Sequence, residues 1–250
     1  MTSVRFLSWN LENKDDALPH MQPASLIVCP EIGDKTKWTK RTSELIPNAK
    51  HEFIDQTPTL AIAYDPALEI IRATRLKLGD RYRDAIVLET EYAYIIAVHL
   101  AARNREENVR QCYYLSQWAQ RTKRRGKAII ATGDFNTGPE DQSRGFCLLR
   151  QELQWAPNEK ATHCNPRHPR LDHFFGHRCS TAVRVDPSVS CEMRVSDHLP
   201  LYADVKIKGI PLQEVSMSRS KRGSYKPLND RLVYDHDLEQ LAVPVILAQY

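Results

Sequence analysis

Ala128-Ile129-Ile130-Ala131-Thr132-Gly133-Asp134-Phe135-Asn136-Thr137-Gly138-Pro139 is the stretch on which the reading of this chain turns. Its opening residues are apolar in succession, as in a strand covered on both faces inside a layered α/β protein. The composition then changes within two residues to Gly, Asp and Asn, the mark of a strand end that hands over to a turn. On an extended chain the period of two would set Asp134 and Asn136 on one side. Layered α/β folds carry their chemistry at strand ends, so both are candidate functional groups.

Other segments repeat this design. Ser8-Trp9-Asn10-Leu11-Glu12 closes an expected strand over 4–9, and the same period places Asn10 beside Glu12. In Cys29-Pro30-Glu31-Ile32-Gly33-Asp34 an acid follows an apolar strand over 26–29. Val98-His99-Leu100 ends the most apolar strand, 94–100, and Val195-Ser196-Asp197-His198-Leu199-Pro200 opens a final strand over 199–207. Arg170-Leu171-Asp172-His173 begins a strand over 171–175. Further strands are read at 60–64, 85–89, 128–132 and 181–185, with helices at 36–46, 106–124 and 141–153. In the long helix Val109, Cys112, Tyr113, Ser116 and Ala119 share one face. Taken singly, polar residues at strand ends are ordinary turn and cap formers.

Composition sets the frame. The chain has 250 residues, 42% hydrophobic and 26% charged, with 35 Lys and Arg against 31 Asp and Glu for a net charge of +4. That suits one globular domain with a short appendage and excludes disordered, collagen-like and polycationic classes. No apolar run approaches the roughly 18 residues of a spanning helix, and the N-terminus lacks the pattern of a secretory signal, so a cytoplasmic protein is expected. The six cysteines (Cys29, Cys112, Cys147, Cys164, Cys179, Cys191) are scattered and read as free thiols rather than a disulfide framework.

Taken in order, the segments resemble the endonuclease/exonuclease/phosphatase family, which includes deoxyribonuclease I and the apurinic/apyrimidinic endonucleases. The resemblance rests on Trp9-Asn10-x-Glu12, Glu31, His99-Leu100, Gly133-Asp134-Phe135-Asn136, Leu171-Asp172 and Ser196-Asp197-His198-x-Pro200, from residue 4 to about 207. It departs where Pro30 precedes Glu31, since the family often has Gln there. The fold it implies is an α/β four-layer sandwich of two packed mixed β-sheets flanked by helices. A catalytic domain would occupy residues 1–208, and 209–250 would form a linker and a tail packing on the core or on a partner or second copy.

The resemblance also implies chemistry. Glu31 would be the principal ligand of a magnesium ion, for which manganese could substitute, with Asn10, Glu12 and Asp197 in or near its shell. Asp134 would position or deprotonate the attacking water, and Asn136 would hydrogen-bond the phosphate. His198, held by Asp172, would donate to a phosphate oxygen, and His99 would act near the scissile phosphate or leaving group. Magnesium takes oxygen ligands and keeps several waters, so no His/Cys cage is needed.

Other clusters are weaker signals. His163, Cys164, His168, His173, His177 and Cys179 have some zinc-like spacings but lack paired Cys-x-x-Cys, so loop histidines and free thiols are the expected reading. Arg103, Asn104 and Arg105 follow His99 closely and are candidate phosphate contacts. The run Arg121-Thr122-Lys123-Arg124-Arg125-Gly126-Lys127 is either a solvated helix end or a phosphate-backbone contact. The first function expected is a magnesium-dependent phosphodiesterase that is a nuclease, an endonuclease or nickase, acting on DNA foremost and also on RNA. A phosphatase on a small or lipid substrate such as an inositol phosphate is the alternative, and an inactive binding module of the same fold the third.

Overall fold

The computed structural model describes residues 3–55, 59–79, 83–139, 144–158, 160–167 and 170–207. The chain runs β1 (Val4–Ser8), β2 (Leu26–Pro30), α1 (Lys35–Leu45), β3 (Lys50–Ile54), β4 (Leu60–Tyr64), β5 (Arg72–Leu76), β6 (Ala85–Glu89), β7 (Ala93–His99) and α2 (Arg105–Lys123). It continues through β8 (Ala128–Asp134), α3 (Arg144–Glu152), β9 (Gln154–Ala156), β10 (Asp172–His177), β11 (Cys179–Val185) and β12 (Leu201–Ile207). Two six-stranded mixed sheets result, in the orders β11-β12-β1-β2-β4-β3 and β5-β6-β7-β8-β10-β9.

Strand alternation explains the layering. In β1 Phe6 faces the space between the sheets and Leu7 faces the layer that holds α1. In β8 Ile130 faces the same central space, while Ile129 and Ala131 face the helices α2 and α3. Strands apolar on both faces are therefore the ones that separate two cores. Phe6 and Phe174 meet edge to face across the sheets, ring centroids 6.1 Å apart, and each fully buried ring of this size stabilises the fold by about 2–3 kcal/mol. The four-layer arrangement expected from the sequence is the one observed.

The topology gathers one end of both sheets. Each sheet contains one parallel pair, β1 with β2 and β7 with β8. Asn10 lies just beyond β1 and Glu31 just beyond β2, while His99 and Asp134 end β7 and β8 and face each other in register. β12 runs antiparallel to β1, with Leu201 opposite Ser8, so the segment before it, with Asp197 and His198, returns to the same end. β10 likewise begins with Asp172 opposite Asp134. Gly133 makes this register possible: its φ is +135°, and a Cβ there would run into the Val98 carbonyl oxygen.

Several expectations are corrected. Strands β3, β5 and β9 were not expected, and all three are edge strands. The buried face of α2 carries Asn108, Gln111, Cys112, Leu115, Ser116, Ala119 and Thr122, so polar Asn108 and Gln111 belong to it, and Val109 and Tyr113 are only half-buried. The six cysteines are not all free thiols, because Cys164 and Cys191 form a disulfide with Cα atoms 5.6 Å apart. Backbone pairing brings them together: Cys164 N–H donates to the Asp197 carbonyl (2.7 Å) and Leu199 N–H to the Thr162 carbonyl (2.7 Å). Sequence spacing cannot register a contact made by two loops. The expected helix over 141–153 is observed from Arg144, with 140–143 outside the described residues, as are His168 and the expected tail over 209–250.

Candidate active site

Three of the motifs are built by one local device. Asn10 Oδ1 accepts the Glu12 N–H (2.9 Å), Asp134 Oδ1 accepts the Asn136 N–H (2.8 Å), and Ser196 Oγ accepts the His198 N–H (3.0 Å). In each, a side chain two residues ahead closes a turn just outside a strand. The expected side-by-side placement by strand period is thereby corrected: β1 ends at Ser8 and β8 at Asp134, so Glu12 and Asn136 lie beyond their strands. Glu12, Glu31 and Asn136 all have positive φ, between 47° and 52°. A left-handed conformation at non-glycine residues costs about 1–2 kcal/mol each, and such strain collects at functional sites.

The turns converge. Asn10 Nδ2 donates to Asp134 Oδ2 (2.9 Å) and, at 3.5 Å, to Glu31 Oε1. Asn10 thus meets both carboxylates as a donor, its oxygen being engaged by Glu12. His99, 3% exposed, sets Nε2 3.3 Å from Glu31 Oε1 and 3.7 Å from Asp134 Oδ2. The His99 hydrogen bond is the main reason the Glu31 carboxyl lies below its usual range, against the opposing effect of burial. At Asp134 burial works against ionisation, but His198 and His99 prevail and hold its pKa low.

Opposite Asp134, His198 Nδ1 pairs with Asp172 Oδ2 at 2.7 Å. Burial alone would discharge this imidazole, yet Asp172 and Asp134 together push its pKa up to about 10. Asp172, fully buried, has its own pKa raised by burial, with His198 opposing. The pair therefore leaves His198 Nε2–H as a charged donor, 3.7 Å from both Asp134 Oδ2 and Asp197 Oδ1. Trp9 Nε1 fixes this loop by donating to the His198 carbonyl (2.9 Å), and Thr162 Oγ1 accepts the N–H groups of Leu171 and Asp172.

A family model for the endonuclease/exonuclease/phosphatase family matches residues 52–198. This protein belongs to that family. Its members are phosphoester hydrolases that use divalent metal ions. Among solved structures, truncated TDP2 of Caenorhabditis elegans superposes with a TM-score of 0.66 at 14% identity, over 81% of this chain and 97% of that one. The human Nocturnin catalytic domain, with a bound sulfate anion, gives 0.62 at 20% identity over 82% and 94%. A Bacteroides thetaiotaomicron mannosyl-6-phosphatase gives 0.61 at 17% identity over 82% and 100%. These likenesses show a shared fold. A search of curated proteins finds no match.

The donor set suits the divalent ion that this family uses. Glu31 receives Asn10, Asn13 and His99 only at 3.3–3.5 Å, so its oxygens are directed rather than saturated. Asp197 Oδ1 is buried with no hydrogen-bond partner among the described residues. Glu12 stands beside it, pairing with Lys14 and accepting the Asp197 N–H (3.2 Å). Glu31 and Asp197 would hold a hard cation, with Glu12 and Asp134 close by.

The remaining candidates separate. Asn104 caps α2, its Oδ1 accepting the Glu107 N–H (3.0 Å), while Arg103 is exposed on the loop leaving β7 and Arg105 is exposed in the first turn of α2. The basic run lies at the start of β8, a strand length of about 20 Å from Asp134; there Lys123 pairs with Glu152 and Lys127 with Glu89. Among the described residues the zinc-like cluster does not assemble. Cys164 is in the disulfide, and His173 is buried against Phe135, Phe146 and Trp155 with its pKa pushed down to about 4 by burial.

Sequence reading missed three contributors. Arg83, at φ +80°, donates from Nη1 to the Leu100 carbonyl, which also accepts Asn136 Nδ2 (2.9 Å); Asp134 and Glu31 support its charge against burial. Asn108 Nδ2 donates to the Ala101 and Phe135 carbonyls, both at 2.8 Å, tying two site loops to α2. His163 pairs with Asp197. Neither Arg83 nor Asn108 falls in a recognisable motif, and His163 reads in sequence only as a loop histidine of the zinc-like cluster. The short charged segment Arg81-Tyr82-Arg83-Asp84 before an apolar strand was the available signal for Arg83.

Proposed function

We propose that this protein is a magnesium-dependent phosphodiesterase acting on nucleic acid, DNA in the first place. The observation that carries the reading is the convergence of Glu31, His99, Asp134, Asn136, Asp172 and His198 at one end of both sheets, with carboxylates on one side and a charged imidazole on the other. A bound magnesium ion would supply positive charge to a phosphoryl oxygen and lower the pKa of a coordinated water. The chain's own groups do the rest. Asp134, kept ionised by two histidines, orients the attacking water as an acceptor. The Nε2–H of His198 donates to a non-bridging oxygen as negative charge builds there. Asn136, whose amide is anchored on the Leu100 carbonyl, would hydrogen-bond the phosphate with its remaining N–H. Exposed Arg103 and Arg105 would meet a flanking phosphate.

A second reading, hydrolysis of a small phosphate ester, draws support from the basic run: it lies at the far end of β8 with two of its lysines paired to acids, leaving less positive surface beside the cleft than a long polyanion would use. An activity panel with magnesium or manganese tests both, comparing supercoiled plasmid, abasic duplex, single strands and inositol phosphates, with Asp134→Asn as control. Cleavage of the polynucleotides that vanishes in Asp134→Asn supports the first reading. Phosphate release from small esters alone overturns it in favour of the second, and inactivity on every substrate overturns both.

A further inference from the structure

We propose that His163 is a positioning residue that divides the Asp197 carboxylate between two tasks, engaging Oδ2 so that Oδ1 faces His198 and the reacting centre. This inference rests on the hydrolytic reading of the site. His163 Nε2 lies 3.4 Å from Asp197 Oδ2. The other oxygen, Oδ1, is buried, has no hydrogen-bond partner among the described residues, and lies 3.7 Å from His198 Nε2. The His163 ring also stands edge-on to the His198 ring, centroids 4.7 Å apart at 77°, which limits how far that ring can swing. One side chain thus restrains both members of the Asp197-His198 pair.

His163 is itself held. Its backbone bridges His198, the neighbouring Cys164 N–H donates to the Asp197 carbonyl, and Cys164 is tied to Cys191. The Asn165 N–H donates to His163 Nδ1 (3.0 Å). Nδ1 is therefore an acceptor, and the ring proton sits on Nε2, facing Asp197. That tautomer also decides against another reading. One ligand atom each from His163, Asp197 and His198 falls within 4.8 Å of the others, a spacing a metal ion could use. A metal on His163 Nε2 would need that nitrogen bare and Nδ1 protonated, against the Asn165 N–H. His198 pairs with Asp172 through Nδ1, and its Nε2 lies 3.7 Å from both Asp134 Oδ2 and Asp197 Oδ1, facing acceptors. The cluster presents protons, not lone pairs, so it orients groups rather than binding zinc.

Two variants separate the contributions. His163→Phe keeps an aromatic edge against His198 and removes the Nε2–H, whereas His163→Gln keeps a donor and loses the ring. Kinetics on bis-p-nitrophenyl phosphate with manganese are to be read beside calorimetric Mn2+ affinity, which needs no turnover. Loss of a hydrogen bond to a charged group predicts a kcat about 10-fold lower in His163→Phe, with KM changed less than about 2-fold. Mn2+ affinity should weaken in parallel, and His163→Gln should recover most of both. Wild-type kcat and Mn2+ affinity in His163→Phe would overturn the proposal. So would loss of a tightly bound zinc equivalent in both variants, since His163 would then be a ligand. If the wild type hydrolyses no phosphoester, the functional reading fails, and the Mn2+ comparison alone decides the role of His163.

Discussion

Replacing Asp172 by Asn removes charge from the His198 pair while leaving an oxygen to accept its Nδ1–H. With Asp172 and Asp134 facing it, His198 has a pKa of about 10. Without Asp172 the largest of the charges that raise this pKa is gone and burial regains ground; an imidazole at the ordinary value of about 6.5 sets the scale of the effect. At about pH 8 an imidazole with the first value is ~99% protonated and one with the second ~3%, so the variant lacks the Nε2–H donor in all but a small fraction of molecules and loses about 30-fold in rate. At about pH 6 the fractions are ~100% and ~76%, and this part of the deficit nearly vanishes. The assay is initial-rate hydrolysis of a phosphodiester with manganese across that range, each rate expressed as variant over wild type. The same proton links to stability. Folding raises the His198 pKa above its unfolded value, so its contribution is complete below about pH 6.5 and is lost as pH rises through about 10. The melting temperature of wild type should fall across that window by more than that of the variant. A deficit of equal size at both pH values would refute the reasoning, because Asp172 would then act by geometry and not by charge.

Other expectations follow from the packing. Gly133→Ala should destabilise by about 2–4 kcal/mol in urea unfolding, since its Cβ meets the Val98 carbonyl at a φ of +135°. Reducing the Cys164–Cys191 disulfide, which spans 27 residues, should cost about 3–4 kcal/mol by the loop-entropy relation, seen as a lower melting temperature in dithiothreitol but not in a Cys164→Ser, Cys191→Ser double variant. Asn108→Ala leaves the half-buried Ala101 and the buried Phe135 carbonyls without their amide donor and should cost about 1–3 kcal/mol, with a measurable fall in kcat because the loops bearing Asn136 and Leu100 lose their common tie.

Much of the fold was legible because the central strands are apolar on both faces. Leu60–Tyr64 and Ala85–Glu89 could be read to the residue. The strands that escaped were Lys50–Ile54, Arg72–Leu76 and Gln154–Ala156, whose sequences KHEFI, RATRL and QWA mix charge with apolar residues. Each has a neighbour on one side only, so solvent sets half of its composition and the run of apolar residues never forms. Asn108 and Gln111 on α2 escaped for the opposite reason: polar in sequence, they are buried because they satisfy loop carbonyls and an N–H that no helix pattern foretells. At the site, residues at strand ends were legible and those on irregular loops, such as Arg83 and His163, were not. Spacing carried Asp134 and Asn136 to the right place for the wrong reason, since a side-chain turn and a strand both recur every two residues.

That turn has a practical consequence for how substitutions here are to be interpreted. Asn10, Asp134 and Ser196 each present a functional group and also bend their own backbone, so truncation to alanine subtracts an acceptor from the main chain together with whatever the side chain does to substrate. Alanine scanning at these positions will overstate chemistry, and a dead variant will not distinguish a missing reactant from a displaced loop. Isosteric swaps that keep the turn-closing oxygen in place, Asp134→Asn foremost, narrow the ambiguity, although there the new amide nitrogen meets the Asn10 Nδ2 donor.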